Sequence, residues 1–327
     1  MTDFTGQENI TGITKTTKDF TPYRILSLDG GGAKGFYTLG VLRELEALTG
    51  KKLHKVFDLV FGTSTGSIIA ALIVQGNSID DIQRHYVEHV PRIMQRKRPS
   101  QKTKLLAELA DEVFGDAKFD AVKTDVGIVT TKWMIEKPMI FKGNIDQAHG
   151  RVSTFVPGFG VRISDAVQAS CAAYPFFKRK IVHTSTGDRV ELVDGGYCAN
   201  NPTLYAIADA SRALGLKYSH QDLRVVSVGV GKYPEPKRGL LSKMRWAKYL
   251  LSVRLLQKTL EINTESMDQL RTILFKDVQT IRISETFAKP EMATDLFEYD
   301  LRKLNLLSQR GRESFAGNET ELSRILD

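Results

Sequence analysis

The sequence predicts an α/β protein whose central, mostly parallel sheet carries helices on both faces. Two strand-turn-helix units near its start indicate this: residues 23–29 and 56–61 read as buried strands, and residues 36–48 and 67–75 as the helices that follow them. Strands that are apolar on both faces and alternate with helices are typical of parallel sheets covered on both sides. At 327 residues, the chain is long enough to bury such a core.

Later segments continue the alternation of strands and helices. Residues 126–133, 138–142 and 223–230 read as strands, and residues 180–184 and 190–193 as a candidate hairpin.

Prolines mark two of the later helices. A helix over residues 163–173 stops before Pro175, and another begins at Pro202 with Asn201 as its cap. From Lys232 onward the chain is helical and basic. The predicted organisation is a flexible tail over residues 1–22, a core over residues 23–231, and a mainly helical region over residues 232–327 that packs on the same domain.

Composition narrows the compartment and the partners. The net charge of +8 favours anionic partners, such as phospholipid surfaces or nucleotides, without choosing among them. Cys171 and Cys198 form no Cys-x-x-Cys pair, which argues against a disulfide framework or a zinc ribbon and favours a reducing compartment. The sequence has no signal peptide and no apolar run long enough to span a bilayer, so we expect a cytoplasmic protein.

Residues 62–66 read Gly-Thr-Ser-Thr-Gly, the Gly-x-Ser-x-Gly pattern, between a predicted strand and a predicted helix. This is the context of a nucleophile elbow, in which flanking glycines avoid clashes around a strained serine. The following helix adds its positive N-terminal end to the site. Ser64 is therefore the candidate nucleophile, against the alternative of an ordinary polar turn.

Residues 29–35 read Asp-Gly-Gly-Gly-Ala-Lys-Gly and contain a literal Gly-x-Gly-x-x-Gly, so a dinucleotide-binding loop is the rival interpretation. That fingerprint needs an acidic residue at the end of the second strand, where this chain has Gly-Thr-Ser; a P-loop also fails, because no Gly-Lys-Ser/Thr follows. In a hydrolase, such a loop directs backbone N–H groups at an oxyanion, and Gly31 and Gly32 are the candidate donors. Lys34 is expected to contact a lipid phosphate or to be a solvated residue.

Residues 192–196 read Leu-Val-Asp-Gly-Gly, in which Asp-Gly taken alone is a common turn signal. Together with the glycine loop and the elbow, in that order, this segment resembles the patatin-like phospholipase family. The resemblance covers about residues 23–231. It includes the small-residue segment before Pro175 and the Asn-Asn-Pro that follows Asp194.

The resemblance implies a three-layer patatin-like fold and a Ser-Asp dyad that hydrolyses acyl esters of phospholipids, with Ser64 as nucleophile and Asp194 as base. It implies neither a cofactor nor a metal. The residues expected to support the motifs are Gly30, Lys34, Gly35, Gly62, Gly66, Gly195 and Gly196.

Within that family, the chain is most similar to bacterial antiphage effectors activated by cyclic dinucleotides such as cyclic GMP-AMP. This likeness implies peripheral action on the inner face of the cell membrane and a cyclic dinucleotide partner. It implies no DNA or RNA partner and is compatible with an oligomer. A constitutive lipase and a non-catalytic lipid- or nucleotide-binding module remain the alternatives.

Histidines provide two further alternatives. An ordinary aspartate, with a pKa of about 3.9, is a weak base for serine, so Asp194 requires desolvation, whereas a triad would require His220. We expect the dyad. His85 and His89 have metal-ligand spacing, but Tyr86 stands where a metalloprotease has glutamate, so we expect an ordinary helix face.

Two basic stretches could meet anionic groups. A helix formed by the second could lie on a membrane or pack on the core, and basic residues in the C-terminal third of the chain are the candidate contacts for nucleotide phosphates. The first stretch contains Arg92, Arg96, Lys97, Arg98, Lys102 and Lys104; the second, residues 232–258, has Glu235 as its only acid.

Overall fold

The computed structural model describes residues 21–148, 152–214, 219–236 and 240–326, so the tail predicted over residues 1–22 lies almost wholly outside the described residues. The strands are β1 (Tyr23–Leu28), β2 (Leu59–Thr63), β3 (Asp125–Lys132), β4 (Lys137–Lys142), β5 (Lys180–His183), β6 (Arg189–Asp194), β7 (Leu223–Val228) and β8 (Gln279–Ile283). The α-helices are α1 (Gly35–Thr49), α2 (Thr65–Gln75), α3 (Ile79–Met94), α4 (Pro99–Phe114), α5 (Ile163–Ser170), α6 (Gly196–Ala199), α7 (Thr203–Leu214), α8 (Leu240–Leu274), α9 (Leu301–Ala316) and α10 (Glu319–Leu326).

These strands form one mixed sheet in the order β5-β6-β3-β2-β1-β7-β8, with β4 on β3. The five neighbouring strands β3, β2, β1, β7 and β8 pair in parallel. Strands β4 and β6 pair antiparallel with β3, and β5 pairs antiparallel with β6. The predicted mostly parallel sheet is confirmed. The predicted hairpin is the β5/β6 pair, in which Lys180 lies opposite Leu192.

Helices cover both faces of the sheet, because successive strand residues point to opposite sides. On one face, Leu26 of β1 and Val60 of β2 belong to the larger core, which α1 to α5 and α9 enclose. On the other, Ile25 and Leu59 belong to a smaller core closed by α7. The predicted three-layer α/β architecture is therefore confirmed.

Several element boundaries differ from the prediction by one to three residues, and three of them have a clear cause or consequence. Strand β2 begins at Leu59 rather than residue 56, because residues 53–55 form a 3₁₀ turn and the Asp58 carboxylate accepts the Arg24 N–H at 2.8 Å. Helix α5 ends at Ser170 rather than residue 173, and the chain turns before Pro175. Strand β7, predicted over residues 223–230, ends at Val228.

The region after residue 231 contributes a strand as well as helices. Strand β8 pairs with β7 over five positions and extends the central sheet. Sequence patterning missed it because five residues that follow a 35-residue helix carry a weak alternation signal.

A buried ion pair ties this added strand to the start of the glycine loop. Arg282 of β8 donates from Nη1 and Nη2 to the two Asp29 carboxylate oxygens at 2.8 and 2.5 Å, and from Nη1 to Ser227 Oγ at 2.8 Å. Asp29 is 2% exposed. Removing one member of such a pair leaves the other as an uncompensated buried charge.

We therefore expect Arg282→Met to lower the free energy of unfolding by about 3 to 5 kcal/mol, because Asp29 stays buried without its partner. The double variant Asp29→Asn/Arg282→Met should recover part of that loss. Urea denaturation of the parent, both single variants and the double variant measures the coupling. Independent, additive losses would contradict it.

Candidate active site

Ser64 occupies the turn between β2 and α2 in a strained conformation, with φ 51° and ψ −122°. The glycines around it are sterically required. A Cβ on Gly62 would lie 2.3 Å from the Gly66 carbonyl oxygen, and a Cβ on Gly66 would lie 2.4 Å from that of Leu28. The segment thus has the geometry of a nucleophile elbow at the N-terminus of a buried helix.

A second serine holds this elbow in place. The Ser64 N–H donates to Ser170 Oγ at 2.9 Å, and Ser170 Oγ donates to the Val129 carbonyl at 2.6 Å. Ser170 lies in the small-residue segment noted in the sequence, but sequence reasoning assigned it no role. Because the Ser64 N–H is already bonded, it is unavailable to a substrate oxygen.

The predicted partner of Ser64 lies within hydrogen-bonding distance. Ser64 Oγ donates to Asp194 Oδ2 at 2.7 Å, and the Gly196 N–H donates to Asp194 Oδ1, also at 2.7 Å. Asp194 is 2% exposed, and this burial raises its pKa to about 6, although both hydrogen bonds oppose the shift. The desolvation that the sequence required for a basic Asp194 is present.

Sheet topology explains why these two residues meet. Strand β2 pairs with β3 as far as Thr63 opposite Val129, and Thr130 then pairs with Asp194 of the antiparallel β6. Strand β6 therefore takes the place beside β3 that β2 leaves as it turns into the elbow. A Cβ on Gly195 would lie 2.2 Å from the Val129 carbonyl oxygen, so the next residue must be small.

His220 lies away from this site. It precedes β7, at the edge of the sheet where the parallel strands begin, and its ring packs against Phe275 at 5.3 Å. The Ser64–Asp194 pair lies at the opposite edge, where the parallel strands end. The described residues that line the pocket at Ser64 include no histidine.

The glycine loop, residues 30–32, lies beside the same pocket, which Gly31 and Gly32 line. The Gly30 N–H donates to the Asn200 carbonyl at 3.0 Å, whereas the N–H groups of Gly31 and Gly32 have no acceptor among the described residues. Gly32 has φ +57°, and a Cβ there would lie 2.4 Å from the Leu296 carbonyl oxygen. Two N–H groups are thus free beside Ser64.

Lys34 is not solvated, so that expectation is wrong. The residue is 2% exposed, and its Nζ lies 3.8 Å from Glu261 Oε1 of α8. Burial lowers the pKa of this ammonium. Two turns of α8 approach the site, because Leu260 lines the pocket and Asn263 Nδ2 donates to the Cys198 carbonyl at 3.2 Å.

A narrow, mostly apolar pocket opens from Ser64 and Asp194. A second narrow apolar pocket shares part of its wall and continues it between α2, α3 and α4. The continuous apolar lining has the chemistry that a hydrocarbon chain requires. The side chains that line both are Ile68, Val90, Leu106 and Leu109.

The two basic stretches differ in exposure and in ion pairing. Arg92, Arg96, Arg98 and Lys104 are exposed, whereas Lys102 is buried. In the second stretch, the side chains of residues 237–251 lie outside the described residues, and with them most of the helix that the sequence places on a membrane or on the core. The described cations of that stretch pair with acids: Lys232 with Glu265, Arg254 with Glu235 and Lys258 with Glu261.

The histidine pair and the two cysteines noted in the sequence lie as follows. His85 and His89 stack with ring centroids 6.2 Å apart, and within the described ranges no group of three or more potential ligands could hold a metal ion. Cys171 and Cys198 are free thiols. Among the described helices, none combines the length and apolarity needed to cross a bilayer.

Fold and site together indicate a class of protein, hydrolases that carry a serine nucleophile elbow on an α/β sheet. A family model described as patatin-like phospholipase matches residues 26–207, more than half of the chain. The chain belongs to the patatin-like phospholipase family.

Curated relatives agree with that assignment. A cUMP-AMP-activated phospholipase from Escherichia coli is 66% identical over 303 residues, which cover 93% of this chain and 93% of the relative. A cGAMP-activated phospholipase from Escherichia coli strain TW11681 is 27% identical, covering 69% of this chain and 67% of that protein. Patatin-T5 from Solanum tuberosum is 28% identical, covering 64% and 61%.

The raised pKa of Asp194 predicts an acid limb in the activity profile. If the carboxylate is the base, kcat/KM for a soluble p-nitrophenyl ester should fall about tenfold per pH unit below pH 6, because protonated Asp194 cannot accept the Ser64 proton. Circular dichroism at each pH checks that the protein stays folded. Activity that stays constant down to pH 4 would contradict this role.

The same shift predicts a trade-off with stability. A folded pKa of about 6 means that the folded state binds the proton more tightly than the unfolded state, whose pKa is near 3.8, so stability falls as pH rises from about 4 to about 6. Asp194→Asn removes this cost and should raise the free energy of unfolding at pH 7 by up to about 3 kcal/mol. Urea denaturation at pH 4 should show no such gain, whereas a loss at pH 7 would refute the interpretation.

Proposed function

We propose that this protein hydrolyses the fatty acyl esters of membrane phospholipids through a Ser64–Asp194 dyad, and that a cyclic dinucleotide activates it. The observation that carries the proposal is the 2.7 Å hydrogen bond from Ser64 to a carboxylate whose pKa burial raises to about 6. A base with that pKa is far better matched to neutral pH than an ordinary aspartate.

In the acylation step, Ser64 Oγ attacks the ester carbonyl carbon while Asp194 accepts its proton. The carbonyl oxygen becomes an oxyanion, and the N–H groups of Gly31 and Gly32 are the proposed donors that stabilise it. The tetrahedral intermediate then expels the alcohol, a lysophospholipid, which takes the proton back from Asp194. The acyl group remains as an ester on Ser64.

Deacylation repeats these roles with water. Asp194 accepts a proton from a water molecule, whose oxygen attacks the acyl carbon, and the proton returns to Ser64 Oγ as the fatty acid leaves. No histidine is required between the two residues, because Asp194 accepts the Ser64 hydrogen bond directly. Its other oxygen stays bonded to Gly196, which fixes the carboxylate orientation.

The pocket supports a lipid substrate. Its wall beside Ser64 is formed almost wholly by aliphatic and aromatic side chains, and the adjoining cavity extends it away from the reacting atoms. An acyl chain that fills this space places its ester carbonyl at Ser64. We propose that the substrate comes from the inner face of the cell membrane, which the chain contacts peripherally.

Activation by a cyclic dinucleotide is supported by two relatives that carry such activators in their names. The more similar of the two is named for cUMP-AMP, so we propose cUMP-AMP as the activator, ahead of the cyclic GMP-AMP that the sequence resemblance suggested. Helix α8 offers a route to the site, since Leu260 and Glu261 contact the pocket and Lys34. Its basic side chains are the proposed phosphate contacts, and the biological setting we propose is antiphage defence.

We expect fatty acid release from vesicles of phosphatidylglycerol and phosphatidylethanolamine to rise at least tenfold with cUMP-AMP, and less with cGAMP. Ser64→Ala should lower the activated rate by about 10³-fold or more, because the acyl acceptor is lost. Mass spectrometry of the released acids and lysolipids measures both effects.

His220→Ala is the matched control, because His220 lies at the opposite edge of the sheet and should retain the parent rate. A rate that falls with His220→Ala as far as with Ser64→Ala would replace the dyad by a triad. Equal rates of hydrolysis with and without either nucleotide would contradict activation and indicate a constitutive lipase. Ser64→Ala with unchanged turnover would overturn the hydrolase assignment.

A further inference from the structure

The turn between β3 and β4 exposes large apolar side chains. Residues 133–136 read Trp-Met-Ile-Glu and form this turn, and Trp133, Met134 and Ile135 are 38%, 77% and 56% exposed. We refer to these three residues as the apolar tip. Contiguous exposed apolar groups of this size mark an interaction surface more often than a scattered leucine does.

The turn also departs from ordinary turn chemistry. Tight hairpins favour Gly, Asn, Asp or Pro, because these residues supply positive φ or preset the turn. Here Glu136 has φ 53°, a conformation that costs free energy for a residue with a side chain. An exposed turn whose residues depart from the usual turn preferences is a place where a functional constraint is expected.

The apolar tip projects from the catalytic edge of the sheet. Thr63, next to Ser64, pairs with Val129 of β3, and Trp133 lies four residues farther along the same direction. At about 3.3 Å per residue, the tip extends roughly 13 Å beyond the elbow. It therefore lies at the same edge of the sheet as Ser64.

The tip is also joined to the rim of the acyl pocket. Ala173 and Phe177 line that pocket, and between them Tyr174 is exposed and packs on Trp133 with ring centroids 5.4 Å apart. The Arg179 guanidinium lies over the Trp133 ring at 5.2 Å from its centroid. Trp133 and Tyr174 are the residue types enriched at membrane-water interfaces.

Cations outnumber acids around the tip, where Arg179 pairs with Glu191 and Glu136 lies in the turn itself. Lys132 and Lys137 flank the turn, and Lys178 is exposed beside Arg179. Near the other wall of the pocket, Met94 lines the cavity and the exposed Arg96 and Arg98 follow it. Apolar side chains ringed by cations match a bilayer surface that contains anionic headgroups.

We propose that the apolar tip inserts into the headgroup region of an anionic bilayer and seats the pocket mouth on the membrane. This rests on the proposed phospholipase function and adds the surface that docks. The depth is shallow, because three side chains enter rather than a helix. Lipid then reaches Ser64 without crossing bulk water.

The test measures vesicle binding in a Ser64→Ala background, so that hydrolysis does not alter the vesicles. Flotation with vesicles of equal parts phosphatidylglycerol and phosphatidylethanolamine, with and without cUMP-AMP, compares this protein with its Trp133→Ser/Met134→Ser/Ile135→Ser variant. We expect the variant to lose at least about tenfold in partitioning. Binding should also weaken with salt and with pure phosphatidylcholine.

The matched control is Ile273→Ser/Leu274→Ser. These side chains are 64% and 61% exposed near the end of α8, at the edge of the sheet opposite the elbow. This control should bind vesicles within about twofold of the parent. Thermal unfolding of each variant checks that the fold is retained.

Fluorescence tests insertion directly. The chain has two tryptophans, so Trp246→Phe leaves Trp133 as the reporter. We expect its emission to shift to shorter wavelengths on vesicles and to be quenched by lipids brominated on their acyl chains. Absence of quenching would overturn insertion.

Three other outcomes would overturn the proposal. These are a tip variant that binds like the parent, a parent that binds no anionic vesicle in either condition, and a tip variant that changes the oligomeric mass by light scattering while vesicle binding stays intact. The last result would assign the tip to contact between copies of this chain. Hydrolysis of a soluble p-nitrophenyl ester by the active parent tests the catalytic proposal separately.

Discussion

The Ser64–Asp194 hydrogen bond in a desolvated setting is the interaction on which the rest of the structure depends. A carboxylate that is 2% exposed carries a free energy cost that two hydrogen bonds only partly offset. The fold accepts this cost because the same burial brings the Asp194 pKa toward the range of a useful base. The site is therefore a place where stability and the proposed chemistry oppose each other.

The position of that carboxylate depends on contacts among several segments that are far apart in the sequence. Strand β6 must run antiparallel beside the end of β3 so that Asp194 arrives where β2 turns away. Ser170, from α5, must bridge the elbow to β3. The glycine loop is held in turn by Asp29, whose partner Arg282 lies 253 residues later in the chain. Each of these contacts joins distant parts of the sequence at one edge of the sheet.

One environment serves both the reacting groups and the lipid. The apolar side chains that exclude water from Asp194 continue into the narrow apolar pocket that is proposed to receive the acyl chain. Binding of the chain and basicity of the carboxylate thus have the same physical origin, the removal of water. Helix α8 closes this environment on one side through Leu260.

The sequence by itself determined the α/β class, the positions of most strands along the chain, and Ser64, Asp194 and the glycine loop as candidates, because these depend on local patterning and short motifs. It could not reveal strand β8, the Ser170 bridge or the burial of Lys34, because each arises from contacts between segments far apart in the chain. Only the tertiary structure placed His220 at the far edge of the sheet and desolvated Asp194. A pKa depends on the surroundings of a group in space, and surroundings of this kind are assembled only when the chain folds.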